Sequence, residues 1–164
     1  MSVGRQPIVI MQSASRAAVN GAVTAPELMP SINAATLDAL SEGRLILGVG
    51  VGALREEFAA LGGPATRRGA ITDESIAVIK DLWTNPEPSY TGGRFAFRNL
   101  GFSPNYVDQR HPPLWIGGGS PAAIRRTARV GDGWHPTNIP SAEYAQGASD
   151  LRDQALELGR NPDL

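Results

Sequence analysis

Two glycine-rich turns hold the residues best suited to gripping a charged ligand. The first lies in Gly43-Arg44-Leu45-Ile46-Leu47-Gly48-Val49-Gly50-Val51-Gly52. Leu45 to Val49 is a short apolar run, the pattern of a strand buried on both faces. Gly48, Gly50 and Gly52 alternate, and Arg55-Glu56-Glu57 then begins a helical stretch. Strand, bare backbone and helix in succession bring main-chain N–H groups close to a phosphate. The second turn is Gly117-Gly118-Gly119-Ser120-Pro121, after the apolar Leu114-Trp115-Ile116. Ser120 suits an N-cap and Pro121 a first helical residue. The first N–H groups of that helix have no helical partner, its start carries partial positive charge, and Ser120 adds a hydroxyl donor. A lone turn of this kind is explained by a tight strand-to-helix connection and a cap. Two on one parallel sheet favour a ligand, because the strand ends of a (β/α) barrel share one face.

Other chemistries fit less well. Gly48-x-Gly50-x-x-Ala53 matches the dinucleotide fingerprint in its alanine-ending form. That fingerprint needs an acid about 20 residues on, at the end of the next strand. Asp73 and Glu74 stand at that distance, but on the polar side of a helix. His111 and His135 are the only histidines. His135, in Trp134-His135-Pro136 after a strand, stands where a barrel faces its ligand, and is the candidate substrate contact. His111, before Pro112-Pro113, reads as a loop residue. Two histidines without clustered carboxylates argue against a metal site. Glu56, Glu57, Asp73 and Glu74 read as helix surface. No Gly-x-Ser-x-Gly elbow occurs, which disfavours hydrolase chemistry. No residue stands out as a catalytic acid or base.

Composition narrows the class. The chain has 164 residues, 41% hydrophobic and 19% charged, with net charge −1 and no cysteine. That is enough for one domain with a real core, and not the composition of a disordered chain. Without cysteine there is no disulfide framework, thiolate metal site or cysteine nucleophile. The charge balance points to neither nucleic acid nor an anionic membrane. No apolar run approaches the roughly 20 residues of a membrane span, and Met1 to Met11 lacks the plan of a signal peptide. A cytoplasmic protein is the expectation.

The elements that position these turns follow from periodicity. Pro7 to Met11 is a candidate strand. A helix opens near Ala25-Pro26-Glu27, puts Ile32, Ala35, Ala39 and Leu40 on one face, and stops at Gly43. Glu56 to Leu61 reads as helical and ends at Gly62-Gly63-Pro64. Arg68 to Trp83 is the clearest helix, with Ile71, Ile76, Ile79, Leu82 and Trp83 in one stripe and Asp73, Glu74, Lys80 and Asp81 facing away. Ser89 to Phe97 reads as a hairpin about Gly92-Gly93. Leu114 to Ile116, a helix over Ala122 to Val130, and a strand near Gly131 to Pro136 follow. A last helix has Ser141 as cap and Tyr144, Ala148, Leu151, Ala155 and Leu158 on one side. Strands alternating with helices imply a parallel sheet with right-handed crossovers.

These residues together resemble the bacterial luciferase-like monooxygenase superfamily, its F420-dependent oxidoreductases above all. The resemblance begins at Leu37-Asp38-x-Leu40-Ser41-x-Gly43 and runs through Arg44 to Gly52, Glu57-Phe58, Leu61-Gly62, Arg67-Arg68-Gly69 and Asp73-Glu74. Tyr90-x-Gly92, Gly93-Arg94-Phe95, Pro112 to Ser120 and Asp132 to Pro136 complete it, over 37–136. It implies a (β/α)8 barrel that binds F420, or alternatively FMN, at the strand C-terminal face, and a reaction passing hydride or oxygen between that cofactor and a small organic substrate. By resemblance the Gly50-Val51-Gly52-Ala53 turn approaches the phosphate side. Arg68 is implied as a phosphate ligand, with a solvated first-turn arginine as its alternative. Gly118, Gly119 and Ser120 are implied to bind phosphate at the helix start. The Gly-Gly-Gly-Ser form favours F420.

A full barrel needs roughly 250 residues. The expected fold is therefore α/β, about half a TIM barrel in a single incomplete domain over 1–164, with one inserted hairpin. Two functions follow from different classes. One is a flavin- or deazaflavin-dependent oxidoreductase. The other is a non-catalytic barrel remnant that binds a phosphate-bearing ligand or a partner chain. Unpaired strand edges are an association hazard. The chain reads either as a fragment of a longer barrel, the favoured expectation, or as one that pairs with a second copy or a complementing chain. Beyond a small-molecule substrate, nucleic acid and membrane are not expected.

Overall fold

The computed structural model describes residues 6–13, 25–60, 66–106 and 110–163. Four parallel strands form the main sheet: β1 (Ile8–Ser13), β2 (Leu45–Gly50), β5 (Leu114–Gly117) and β6 (Gly133–His135), in the order β1-β2-β5-β6. Helices α1 (Ala25–Ser41), α2 (Arg55–Ala60), α3 (Arg68–Thr84), α4 (Pro121–Val130) and α5 (Ser141–Glu157) connect or follow them. The hairpin β3 (Tyr90–Thr91) and β4 (Ala96–Phe97) pairs antiparallel about Gly92-Gly93. The turn expected at Gly62-Gly63-Pro64 lies outside the described residues.

Alternation divides the sheet into two faces. Leu45, Leu47, Val49, Leu114 and Ile116 lie on one, buried with Ala34, Ala35, Ile76 and Trp83. In-register pairing of Ile8 with Leu45 and Ile10 with Leu47 puts both isoleucines on that face. Each large side chain buried there contributes about 1.5–3 kcal/mol. A second cluster, Val78, Leu82 and Phe95, seats the hairpin on α3. A third joins Ile124 and Ala128 of α4 to Leu151 of α5, with Trp134 against them.

Three sequence expectations change here. On α1 the buried residues are Ser31, Ala34, Ala35, Asp38 and Ser41, while Ala39 and Leu40 are exposed and Ile32 is half-buried. Buried Asp38 explains the rotation: its Oδ1 accepts the Leu45 amide at 3.0 Å, and its Oδ2 accepts the Tyr106 hydroxyl at 3.1 Å. A carboxylate held by two buried donors outweighs the loss of two apolar contacts. On α5 the packed residues are Gly147, Leu151 and Ala155; Tyr144 and Leu158 are exposed, and Pro140, not Ser141, stands at the N-cap.

The third concerns the polar side of α3, which does not face solvent. Asp73 binds Arg126 of α4 at 2.8 Å and Arg129 at 2.6 Å. Glu74 accepts the amides of Arg94 and Phe95 at 2.8 and 3.0 Å, holding the hairpin turn. The Lys80 ammonium donates to the Val130 carbonyl at 2.7 Å, and Asp81 accepts the Ser89 amide at 3.0 Å. A hydropathy stripe finds an apolar face; it does not find polar groups that serve as clamps between elements.

Candidate functional site

The strand C-terminal ends stand side by side. Val49 pairs with Ile116, so Gly50 one step on stands level with Gly117, and Gly117 pairs with His135. Beyond β2 the chain runs through Gly52 at φ +76°, a left-handed conformation that favours glycine. Ala53 follows, exposed, and its carbonyl accepts Nη1 of Arg68 at 3.4 Å. Arg68 is the first residue of α3.

The second turn is the more elaborate. Gly118 takes φ +110°, donates its amide to the His135 carbonyl at 3.2 Å, and accepts the Trp134 indole N–H at 2.8 Å. These two bonds lock the turn to β6. Gly119 is pressed against Ile139: a Cβ there would lie 2.4 Å from Ile139 Cγ2. Ser120 caps α4, its Oγ accepting the Ala123 amide at 3.3 Å and leaving its own proton free to donate. The amides of Gly119 and Ser120 make no hydrogen bond with the described residues. Two free amides, a free hydroxyl proton and the positive end of a ten-residue helix are the donor set of an anion site.

Arg126 connects the halves. From α4 it donates to the Gly69 carbonyl at 3.2 Å and to both oxygens of Asp73, at 2.8 and 3.2 Å. The N-terminal halves of α3 and α4 are thereby docked together. The structure thus gathers Gly118, Gly119, Ser120 and His135 into one contact set, and Ala53 and Arg68 into another beside Gly50 and Gly52. It also removes the dinucleotide reading. Asp73 is committed to Arg126, and Glu74 to the hairpin.

Trp115 stands outside the core that its neighbours Leu114 and Ile116 join. It lies on the sheet face opposite Leu114 and Ile116, half-buried, with its ring centroid 6.4 Å from that of His135. Period-two alternation from Leu114 is the signal that could have found it. Trp83 does belong to the core, fully buried, with Nε1 donating to the Ser31 carbonyl at 3.2 Å. His111 packs its ring 5.8 Å from that of Trp83, in the loop before β5. Asp132 is structural: Oδ2 accepts the Leu114 amide at 2.9 Å, which fixes the start of β5. Among the described residues no group of histidines and carboxylates has the spacing of a metal site, and no helix is long and apolar enough to cross a membrane.

A parallel sheet with its helices starting at one rim, and a glycine turn with unpartnered donors on that rim, is the architecture of part of a (β/α) barrel. The sequence matches the luciferase-like monooxygenase family over residues 29–164, and the chain belongs to that family. It is 34% identical over 132 residues to a phthiodiolone/phenolphthiodiolone dimycocerosates ketoreductase of Mycobacterium kansasii, covering 79% of this chain and 36% of that protein. It is 32% identical over 129 residues to an FMNH(2)-dependent dimethylsulfone monooxygenase of Pseudomonas putida, covering 76% and 35%. The structure of monooxygenase RslO1 from Streptomyces bottropensis superposes with TM-score 0.80 at 26% identity, covering 95% of this chain and 46% of that one. The F420-dependent tetrahydromethanopterin reductase of Methanopyrus kandleri shares the fold, with TM-score 0.67 at 21% identity over 82% of this chain and 42% of that one. The chain spans about a third of the length of these curated relatives.

Proposed function

We propose that this chain supplies the phosphate grip of an oxidoreductase using a phosphate-bearing flavin-type cofactor, F420 or alternatively FMN, on a small organic substrate. The observation that carries this reading is the pair of unpartnered amides at Gly119 and Ser120 over the start of α4. The residues present fit such a group. Glycine at 118 and 119 keeps the turn free of side chains, and Ser120 retains a proton to donate. Arg68 at the start of α3 is a cation beside a positive helix end, and a bound anion offsets that repulsion. The bound cofactor supplies the hydride or activates oxygen, while the protein holds and orients it.

The test is a fluorescence titration of F420 and of FMN against the chain. Ser120→Ala and Arg68→Ala are each expected to weaken binding about three- to tenfold, the loss of one hydrogen bond to a charged group. Unchanged affinity in both variants removes the phosphate assignment. A second reading is a barrel piece that binds a phosphate-bearing ligand without turnover of its own, which the donors at Gly119 and Ser120 fit equally well. Cofactor binding with no product from any substrate tried supports it; turnover by the chain alone rejects it.

A further inference from the structure

Three consecutive glycines, Gly117 to Gly119, make a backbone that nothing local holds in one conformation. Both peptide units that meet at Gly118 are instead held from β6. The Gly118 amide donates to the His135 carbonyl at 3.2 Å, and the Gly118 carbonyl accepts the Trp134 indole N–H at 2.8 Å. That carbonyl belongs to the same peptide unit as the Gly119 amide. A trans peptide unit is flat, and its C=O and N–H point in opposite directions. The indole that fixes the Gly118 carbonyl therefore also fixes the Gly119 N–H, aiming it away from the indole. A hydrogen bond to the carbonyl also polarises the unit, which makes its N–H a stronger donor. An indole nitrogen donates only, so it cannot take up the Gly119 amide itself.

The indole is in turn seated from α5. It stacks on Tyr144 with 5° between the ring planes and 5.5 Å between centroids. Gly147 is bare where the ring passes: a Cβ there would lie 2.6 Å from Trp134 Cη2. The cluster of Ile124, Ala128 and Leu151 packs against the same ring. A side chain held by two helices and donating to one carbonyl is suited to setting a glycine turn.

We propose that Trp134 is a positioning residue: its indole N–H fixes the Gly118–Gly119 peptide unit so that the Gly119 N–H is presented to a phosphate-bearing ligand. The proposal rests on the phosphate reading of this turn and adds the group that aims it.

The test compares two variants of the same cluster. Trp134→Phe keeps an aromatic ring and removes the donor. Leu151→Ala removes a packed core side chain and keeps the donor. Trp134→Phe is expected to move the Gly119 amide signal in 1H–15N spectra of the ligand-free chain and to weaken FMN binding about threefold or more. Leu151→Ala is expected to lower the melting temperature and to leave the Gly119 signal and the FMN affinity in place. An unmoved Gly119 signal in Trp134→Phe, unchanged FMN affinity in that variant, or an equal loss of affinity in Leu151→Ala overturns the proposal. No binding of FMN or inorganic phosphate by the wild type overturns the phosphate reading, and with it the ligand that Trp134 serves; the Gly119 signal then still decides whether the indole sets the turn. Where Trp134→Phe fails to fold, the wild type decides. A coupling across the hydrogen bond from Trp134 Nε1 to the Gly118 carbonyl carbon, with a Gly119 amide signal that moves on adding FMN, supports the assignment. Absence of that coupling, or an unmoved Gly119 signal in a chain that binds FMN, overturns it.

Discussion

Gly133 lies under the Trp115 indole with no room for a methyl group, three ring atoms standing 2.5 to 2.8 Å from where its Cβ would be. Gly133→Ala must push the indole off its seat. It is expected to cost about 1–3 kcal/mol in urea unfolding, the range for overpacking a filled site. Gly43 is also glycine, at φ +77°, but with open space around it. There a substitution strains the backbone alone. Residues of one type thus serve for different reasons, and only neighbours distant in sequence tell them apart. The glycines of the two turns were legible as turn formers from their place between strand and helix. The indole that makes Gly133 obligatory was not, because it comes from a different strand.

Between elements, the contacts that matter most are polar ones. Arg126 is almost wholly buried and takes both oxygens of Asp73, whereas Arg129, on the same carboxylate, is more than half exposed. Asp73→Ala strands the buried guanidinium and is expected to cost about 2 kcal/mol. Arg129→Ala is expected to cost less than about 0.5 kcal/mol, as for a screened surface pair. Equal losses for the two variants in denaturant titrations would contradict this account of the α3–α4 joint. The Asp38–Tyr106 pair ties α1 to the chain before β5 in the same manner. Burial first, and then the Asp38 charge, push the Tyr106 hydroxyl well above the usual tyrosine range. The native state thus keeps the proton after the unfolded chain has begun to release it near pH 10, so stability falls as pH rises from there. Tyr106→Phe is expected to be less stable at neutral pH and to lose less between pH 9 and 11 than the wild type. Parallel curves for the two proteins would rule the tyrosine out as the source of that slope.

At the scale of the whole molecule, the sheet is open. Among the described residues β1 pairs only with β2, and β6 only with β5. On the glycine-bearing face Val9 is 48% exposed, while its strand neighbours Ile8 and Ile10 pack on the helix side. Leu40 on α1 is 77% exposed. Unpaired parallel edges beside apolar surface favour association. The isolated chain is expected to show concentration-dependent self-association by light scattering, reduced by Val9→Lys. A monomer at every concentration tried, or an unaltered profile for the variant, would count against these edges as the sticky surface.

Much of the architecture was written in local pattern. The apolar runs at Leu45 to Val49 and Leu114 to Ile116, the turns that follow them, and the Ser120-Pro121 helix start each follow from preferences of a few adjacent residues. Their order, strand then helix, was enough to give a parallel sheet and a rim with two glycine turns. What only the packed chain decided was which side of each element meets which neighbour. Asp38 turned α1 away from its apolar stripe because two buried donors needed a carboxylate. The polar side of α3 became a set of clamps because Arg126, Phe95, Val130 and Ser89 arrive there from 8 to 53 residues away. Trp115 stayed out of the core because the helix residues Ala34, Ala35, Ile76 and Trp83 pack on the opposite face of its strand, with Leu114 and Ile116. Short-range propensity is set by the chain itself, whereas burial and partner choice depend on groups that meet only when the sheet has formed.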